Sequence, residues 1–320
     1  LTWRTDKPMW LDTWPLPEEK LVTLESLVQE QLCKGHLTST TSPWNTPVFV
    51  IQEQNKGKWQ FLQDLCKINE VMEDMGTLQL GLPLPVIIPK EWKLIVIDLK
   101  DCFFDIPLHP DDAPQFVFSI PSVNRQAPLQ IYSTIYHWTV LPQGTKNSPT
   151  ICQRFVAKVL IPVCEEHPQA IIYHYMDDIF IAVENNSAID AVLKATVTAI
   201  QQAGLTIAGE KIQQMPPWKY LGLKILPQAI QHQPLQLNEN LQTLHDLQKL
   251  LGTINWVGPL LGITNEDLAP LFVLLKGDPV LNSSRQLTDK ARDALDKVSQ
   301  AVQTHQAHRK NPNFQFLLAI

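Results

Sequence analysis

The sequence predicts an α+β fold in three parts, and three regional patterns lead to this prediction. The first 150 residues combine short apolar runs with many of the chain's 25 prolines, which favours short strands joined by turns. The middle region mixes apolar runs of strand length with longer segments of helical spacing. After residue 227 the composition shifts to leucine, glutamine and asparagine at helical spacing. A β-rich part, then a mixed part, then a helical part is typical of α+β proteins.

The first region predicts several strands. The runs PVFVIQ and WQFLQDL, separated by the polar stretch EQNKGK, predict a strand–turn–strand unit. KLIVIDL, residues 93–99, predicts a buried strand that ends in a carboxylate. QFVFSIP and HWTVLP are two further strand candidates. The proline-rich segments at 42–47 and 79–89 predict extended or turning chain, because proline removes a donor and restricts its predecessor.

The middle region predicts a helix over residues 148–167. Ser148 suits the cap position and Pro149 the first helical position. Apolar residues recur every four positions and predict the buried face, which is formed by Ile151, Phe155, Val159 and Val163. Pro162 lies inside this pattern, so the helix is expected to kink or stop there.

A second helix is predicted over residues 187–203. Ser187 and Asp190 have the spacing of a capping box, and Gly204 suits the helix end. Further along, WKYLGLKI at 218–225 predicts a short strand.

The last third predicts helices. Four apolar residues line up at helical spacing, three, seven and three residues apart, namely Leu241, Leu244, Leu251 and Ile254. A final helix is predicted from about Thr288 to His308. The closing segment NPNFQFLLAI predicts the beginning of another strand.

The composition argues against several classes of protein. The formal net charge of −6 argues mildly against nucleic-acid binding, so such a function must depend on local geometry. The five cysteines include no Cys-x-x-Cys pair, which argues against a zinc site and favours reduced thiols in an intracellular protein. No stretch approaches the roughly 18 apolar residues of a membrane span. The start has neither the pattern of a signal peptide nor a methionine, so we expect a fragment or a processed piece.

The stretch IIYHYMDDIFIAV places two carboxylates, Asp177 and Asp178, between two apolar runs. The runs at 171–176 and 179–183 have the spacing of a β-hairpin with the two aspartates at its tip. One interpretation is a solvated hairpin turn, which is common. The other is a metal site, because a cation would remove the cost of unpaired carboxylates beside apolar strands.

A third carboxylate favours the metal interpretation. Asp98 ends the strand predicted at 93–99, and it would meet Asp177 and Asp178 if strand and hairpin were neighbours in one sheet. Mg²⁺ prefers a few carboxylates together with substrate phosphates. Two such ions, or Mn²⁺ in their place, would act together in phosphoryl transfer. Asp101 follows three residues later and could instead be a solvated or structural acid.

Several motifs occur in the order and at the spacing of one family. YMDD is preceded by VIDLKDCFF and LPQGTKNSPTICQ and followed by PPWKYLGLKI and DLQKLLGTINWVGPLLGI. Together with LTWRTDKPMW and SPWNTPVFVIQ near the start, they extend over nearly the whole chain. The sequence resembles retroviral reverse transcriptases of the betaretrovirus-like branch, which includes endogenous genomic copies.

The resemblance implies a right-hand polymerase fold. The segments it implies are residues 1–73 and 106–147 for the fingers, 74–105 and 148–227 for the palm, 228–310 for the thumb, and 311–320 for the start of a connection region. It also implies DNA synthesis from dNTPs on a primed RNA or DNA template, with Asp98, Asp177 and Asp178 as metal-binding carboxylates. The expected setting is the cytoplasm or a retroviral particle, without a membrane, as a homodimer or within a larger Pol polyprotein. No RNase H activity is expected from this segment.

The resemblance also implies roles for further residues. The residues expected at the nucleotide are Lys58, Phe103, Gln143 and Gly144, with Phe103 as an aromatic gate against a ribose 2′-hydroxyl. Tyr220, Leu221 and Gly222 match a turn that holds the primer end. A helical stripe expected to follow the duplex minor groove is formed by Gln248, Gly252, Asn255 and Trp256. Without the resemblance, Phe103 would be read as an ordinary core aromatic.

Three positions depart from the family pattern. Glu53, Gln60 and Cys66 stand where the family usually has basic residues that hold the triphosphate. Three interpretations follow: an active polymerase, a catalytically impaired remnant that keeps the fold with or without nucleic-acid binding, and a two-metal nuclease or phosphatase. The last explains neither the helical stripe nor the other motifs.

Overall fold

A computed structural model describes residues 1–52, 57–76, 85–120, 134–233, 241–258 and 261–311. The helices are α1 Glu18–Cys33, α2 Cys66–Val71, α3 Ser148–Glu166, α4 Asn186–Gln202, α5 Leu244–Val257, α6 Asn265–Val273 and α7 Asp289–Thr304. The strands are β1 Leu37–Ser39, β2 Val48–Gln52, β3 Trp59–Gln63, β4 Lys93–Asp98, β5 Val117–Ile120, β6 Thr134–Trp138, β7 Ile171–Tyr175, β8 Asp178–Val183, β9 Trp218–Tyr220, β10 Leu223–Ile225, β11 Ala229–His232 and β12 Gln306–His308. Every described strand pair is antiparallel, and this mixture of helices and sheets agrees with the predicted α+β class.

The first part of the chain has its own apolar core. β2 and β3 form the predicted strand–turn–strand unit, and a separate sheet has the order β1-β6-β5. Helix α1 packs against β1, β2 and β3 through Leu21, Leu24 and Val28. Helix α1 was not predicted from the sequence, although its buried residues Leu21, Leu24 and Val28 recur at helical spacing.

The middle of the chain is built on the sheet β4-β8-β7. Alternate residues of β4 enter two different cores, since Ile95 and Ile97 lie in a core with α3 and α4, whereas Leu94 and Val96 lie in a core with β9, β10 and β11. A strand that is covered on both faces reads as a continuous apolar run, which is why the sequence predicted it correctly.

Helix α3 differs from its prediction in two respects. It continues through Pro162 to Glu166 without stopping. Pro162 is exposed, so water can serve the carbonyl that the missing N–H leaves unpaired. The buried apolar residues are Cys152, Val156, Leu160 and Val163, while Ile151, Phe155 and Val159 pack at the edge of the same core.

Helix α4 confirms the second predicted helix but not its cap. It begins at Asn186, and no side chain caps its first turn, so the capping box expected from Ser187 and Asp190 is not formed. Gly204 follows the helix end at φ +80°, a conformation that glycine adopts without strain.

Two further predictions were wrong near the sheet β12-β11-β10-β9. Residues 218–225 form two strands, β9 and β10, because Leu221 and Gly222 turn the chain at φ +48° and +77°. The final helix ends at Thr304 and not at His308, since Gln306–His308 pairs with β11. Strand β11 was not predicted either, because its pattern is too short to identify a strand from the sequence. The closing segment expected to start a strand lies, after Asn311, outside the described residues.

Helices α5, α6 and α7 share a separate apolar core that contains all four leucine and isoleucine residues of the predicted stripe. Capping boxes start two of these helices, Thr243 with Asp246 at α5 and Thr264 with Asp267 at α6. Lys297 of α7 lies 2.8 Å from Asp267. Within the described part of the chain, no helix has the length and apolar character needed to cross a membrane.

Arg309 ties the end of the described chain to the middle region. Its side chain is buried, with 2% exposed, and its guanidinium donates to the carbonyls of Pro227, Pro89 and Trp92 at 3.0, 2.6 and 2.9 Å. These carbonyls precede β11 and β4. Burial lowers the pKa of Arg309 to about 10, so the group stays charged at neutral pH.

We expect Arg309→Ala to lower the free energy of unfolding by roughly 3 kcal/mol, because three carbonyls lose their donor and removal of the buried side chain opens a cavity. Urea denaturation followed by circular dichroism measures this difference. Arg292→Ala, at an exposed position of α7, is the matched control and should change stability by less than about 0.5 kcal/mol. Equal stability of the two variants would contradict the structural role of Arg309.

Candidate active site

The register of β4 and β8 brings Asp98 and Asp178 together. The two residues are direct cross-strand partners, and the N–H of Leu99 donates to the carbonyl of Asp177 at 2.8 Å. Side chains of directly paired residues lie on the same face, roughly 5 Å apart at their Cβ atoms. This pairing confirms that the strand and the hairpin are neighbours in one sheet.

The tip of the β7–β8 hairpin differs from the predicted one. Asp178 is the first residue of β8 and pairs with Tyr175, so the turn residues are Met176 and Asp177 and not the two aspartates. Met176 has φ +55°, an unusual conformation for a residue with a side chain. The N–H of Met176 donates to Gln153 Oε1 at 2.7 Å, which holds the strained turn in place.

Gln153 fastens the hairpin at two points. Besides accepting from Met176, its Nε2 donates to the carbonyl of His174 at 3.3 Å, and its own carbonyl lies 3.1 Å from His174 Nε2. Burial lowers the pKa of His174, so its ring is neutral at physiological pH. Helix α3 therefore positions the acidic turn through Gln153. This residue ends the motif LPQGTKNSPTICQ, but no separate role was predicted for it.

The carboxylates repel one another and are partly withdrawn from water. Burial, followed by the charges of Asp177 and Asp98, raises the pKa of Asp178 to about 6. Asp177 is the most exposed of the three, yet desolvation and then Asp98 raise its pKa as well. Carboxylates that resist ionisation in the protein alone are a typical feature of sites that gain a cation.

Lys211 supplies a positive charge to the site, a role that was not predicted from the sequence. Its Nζ lies 2.8 Å from Asp98 Oδ1, in a half-exposed ion pair. The hydrogen bond to Asp98 raises the pKa of Lys211. No local signal predicts this contact, because Lys211 lies in the irregular segment between α4 and β9, more than a hundred residues from Asp98.

The donor set suits Mg²⁺, since it offers carboxylate oxygens and no competing nitrogen or sulfur ligand. Within the described residues, however, no three acidic, histidine or cysteine side chains are arranged to hold one metal ion together. Asp98 faces Lys211 instead. The backbone thus brings two of the predicted ligands opposite each other, and the metal site itself stays a prediction.

A cavity of about 410 Å³ lies between α1, β3 and the segment after β4 that contains Lys100 and Asp101. Lys58, Gln60 and Gln143 line it together. One wall is a stack of aromatic rings, with Trp138 5.5 Å from Phe104 and 5.7 Å from Phe61. Two of the residues expected at the nucleotide, Lys58 and Gln143, therefore share one cavity.

The other residues expected at the nucleotide lie nearby. Phe103 is half-buried against the core of α3 and α4, in the 3₁₀ turn Cys102–Asp105 that follows β4. Gly144 has φ +91°, and its carbonyl accepts from Asn69 Nδ2 at 2.9 Å. Cys66 is exposed at the start of α2. Glu53 lies outside the described residues.

One of the residues expected at the duplex contacts the hairpin. Trp256 contacts the ring of Tyr175 edge-on, with centroids 5.9 Å apart. A Cβ placed on Gly222 would come within 3.2 Å of Trp256 Nε1, so the turn after β9 and helix α5 touch. The predicted stripe on α5 is exposed along its whole length, at Gln248, Gly252, Asn255 and Trp256. Tyr220 differs from these, because it is buried with its ring against Phe180.

We expect Asp178→Asn to stabilise the metal-free protein at neutral pH. The pKa of Asp178 is raised from 3.8 to about 6, so the folded state loses stability as pH rises through this range. The variant should match the unchanged protein near pH 4 and exceed it by about 1 kcal/mol near pH 7, after allowance for solvent screening. Urea denaturation in the presence of a metal chelator measures the free energy of unfolding of the two proteins at each pH.

Asp190→Asn, at an exposed position of α4, is the control for this experiment and should show no such pH-dependent gain. If Asp178→Asn and the unchanged protein had the same dependence of stability on pH, the electrostatic description of the hairpin would be wrong.

Comparisons with known proteins agree with the motifs. The profile of the family described as Reverse transcriptase (RNA-dependent DNA polymerase) matches residues 51–225, and that of the Reverse transcriptase thumb domain matches residues 232–296. The Gag-Pro-Pol polyprotein of mouse mammary tumor virus (strain BR6) is 47% identical over 310 residues, which cover 97% of this chain. That of Mason-Pfizer monkey virus is 48% identical over 303 residues, covering 94%.

The Gag-Pro-Pol polyprotein of squirrel monkey retrovirus is 44% identical over 321 residues and covers 100% of the chain. In each case the chain spans 17% of the relative's length. The first profile covers more than half of the 320 residues. The resemblance to the betaretrovirus-like branch is therefore confirmed, and the chain belongs to the reverse transcriptase family.

Proposed function

We propose that this chain is an RNA-directed DNA polymerase that extends a primer with dNTPs on an RNA or DNA template by two-metal phosphoryl transfer. The observation that carries the proposal is the cross-strand pair of Asp98 and Asp178, with Asp177 in the adjoining turn. Family membership supports the same reaction class. A two-metal nuclease or phosphatase would use similar carboxylates but would not need the exposed stripe of α5 beside the hairpin.

The three aspartates would hold two Mg²⁺ ions, or Mn²⁺, with phosphate oxygens of the substrate completing the ligand set. When bound, these ions supply Lewis-acid chemistry, which favours the ionised primer 3′-hydroxyl and balances charge on the leaving pyrophosphate. Asp98 and Asp178 are held by the sheet, and Asp177 by the turn that Gln153 fastens. Lys211 neutralises Asp98 in the metal-free protein and must move away when a cation enters.

The incoming dNTP would lie between the acidic hairpin and the cavity lined by Lys58 and Gln143. The Lys58 ammonium can contact phosphate oxygens, and the Gln143 amide can bond sugar or phosphate. Gly144 lets the backbone approach, because it has no side chain. The ring of Phe103 would lie under the sugar and exclude a ribose 2′-hydroxyl.

The primer end would rest on the β9–β10 turn, where Leu221 and Gly222 reach the surface beside Trp256. Tyr220 is buried behind this turn, so its role would be to support the turn from within. The exposed stripe from Gln248 to Trp256 would follow the template–primer duplex. Polar side chains and a ring next to a small residue suit a minor groove, where sugars and backbone are contacted more than base edges.

We further propose fingers, palm and thumb at the boundaries given above. The apolar cores support this division, since the buried residues of one core all lie within 21–72 and 108–138, and those of another all lie within 241–301. Strand β11 pairs with β10, and β12 pairs with β11, so the start and end of the segment 228–310 extend the sheet of β9 and β10, which lie within the proposed palm. We expect the chain to act as a homodimer or within a longer Pol polyprotein, in the cytoplasm or a retroviral particle.

A catalytically impaired remnant is the second candidate, and one observation favours it. Gln60 presents a neutral amide to the cavity at a position where the resemblance implies an arginine. Cys66 is a second lost cation. A charge-assisted hydrogen bond is worth roughly 1.5–3 kcal/mol, so the loss of two would weaken use of dNTPs by about 10²–10⁴-fold.

Asp177→Asn is expected to lower primer extension on an RNA template by roughly 10³-fold or more, because a metal-binding carboxylate becomes a neutral amide. A primer-extension assay with Mg²⁺ or Mn²⁺ measures the effect. Asp190→Asn, exposed on α4, is the matched control and should retain activity. Equal extension by both variants would refute the assignment, whereas absence of extension in all proteins would favour the impaired remnant.

Gln60→Arg is expected to lower KM for dNTPs by about tenfold with little change in kcat, since it restores one charge-assisted bond to the triphosphate. Gln201→Arg adds the same charge at an exposed position of α4 and should leave KM unchanged. If the unchanged protein already had the KM typical of active relatives, or if both variants behaved alike, the impaired candidate would be dismissed.

A further inference from the structure

Two buried thiols meet in the core behind the acidic hairpin. Cys102 Sγ and Cys152 Sγ lie 3.2 Å apart, and the two residues are 4% and 0% exposed. The other three cysteines, Cys33, Cys66 and Cys164, are all exposed. The pair has no part in the proposed polymerase chemistry, and two small apolar residues would fill the same space.

The two thiols lie next to residues of the candidate site or residues that position it. Cys102 opens the 3₁₀ turn after β4, directly before Phe103 and four residues after Asp98. Cys152 precedes Gln153, the residue that fastens the hairpin turn from α3. A covalent bond between them would therefore join the segment after β4 to the helix that holds Met176 and Asp177.

The geometry is close to that of a disulfide. A disulfide has sulfurs about 2.05 Å apart, so the two atoms need to approach by roughly 1 Å. The hydrogen bond to Cys152 and then burial raise the pKa of Cys102, which keeps this group as a thiol. Bulky disulfide reagents are excluded by this burial, which favours a small neutral oxidant.

We propose that Cys102 and Cys152 are a modification site, at which hydrogen peroxide forms an intramolecular disulfide that a dithiol reductant reopens, and that the bond lowers nucleotide incorporation. The loss of incorporation rests on the proposed function, whereas the formation of the bond does not. The shift of the Phe103 segment relative to α3 is what lowers the activity.

The reaction balances without a further reagent. The sulfur of one thiol attacks peroxide, the O–O bond breaks, one water leaves and a sulfenic acid forms. The second sulfur then attacks the first, the S–O bond breaks and the S–S bond forms, with release of a second water. Two thiols lose two electrons and two hydrogens to one peroxide.

The test uses the chain with Cys33→Ser, Cys66→Ser and Cys164→Ser, so that only the buried thiols remain. Each protein is compared with itself before and after peroxide, so the basal activities need not match. Intact mass should fall by two hydrogens, peptide mapping should join the segments around Cys102 and Cys152, and primer extension should fall by about tenfold or more. Dithiothreitol should reverse all three changes.

The same background with Cys152→Ala is the control, because it cannot form the bond. An unchanged mass after peroxide, or a disulfide that leaves extension unaltered, would overturn the proposal. An equal and equally reversible loss of extension in the Cys152→Ala control would also overturn it. If the reduced protein extended no primer, the proposed function would fail, while the mass and the peptide map would still decide whether the bond forms.

Discussion

The pairing of β4 with β8 is the constraint on which the rest of the site depends. In this register Asp98 faces Asp178, while Ile97 and Ile179 enter the core against α3 and α4. A slip of one residue would exchange the two faces of β4, so the carboxylate would enter an apolar core. The apolar residues on both faces therefore determine where the carboxylates emerge. Helix α5 contacts the hairpin through Trp256, and the cavity lies beside the segment that follows β4.

This arrangement has an electrostatic cost that the protein alone offsets only in part. Ionisation of Asp178 is opposed by burial and by two neighbouring carboxylates, and Lys211 neutralises only Asp98. Backbone strain is found in the same place: of the four non-glycine residues with positive φ in the described segments, Asp101, Met176 and Leu221 lie around the hairpin. Unfavourable charge and strain that persist at one point are a recognised property of functional sites.

The sequence predicted the parts of the site that depend on local patterns. The buried strand ending at Asp98, the acidic hairpin and the exposed stripe of α5 follow from periodicity or from family motifs. Residues 218–225 were predicted as one strand, because leucine is not a usual turn residue. In the structure Leu221 adopts a positive φ before Gly222 and turns the chain. Lys211 and Gln153 could not be assigned roles, since each acts through a contact far away in sequence, across 113 and 23 residues. Tertiary packing alone creates such contacts.

The proposed role of the cross-strand carboxylates and the adjoining turn is to hold the divalent ions of nucleotidyl transfer. The most direct measurement is a crystal structure with primer–template, a non-hydrolysable dNTP analogue and Mn²⁺, whose anomalous scattering locates the ions. We predict Mn²⁺ bound by Asp98 and Asp177, with Asp178 adjacent and Lys211 displaced from Asp98. Mn²⁺ located elsewhere, with the ion pair of Lys211 and Asp98 intact beside a bound analogue, would contradict the proposed metal site.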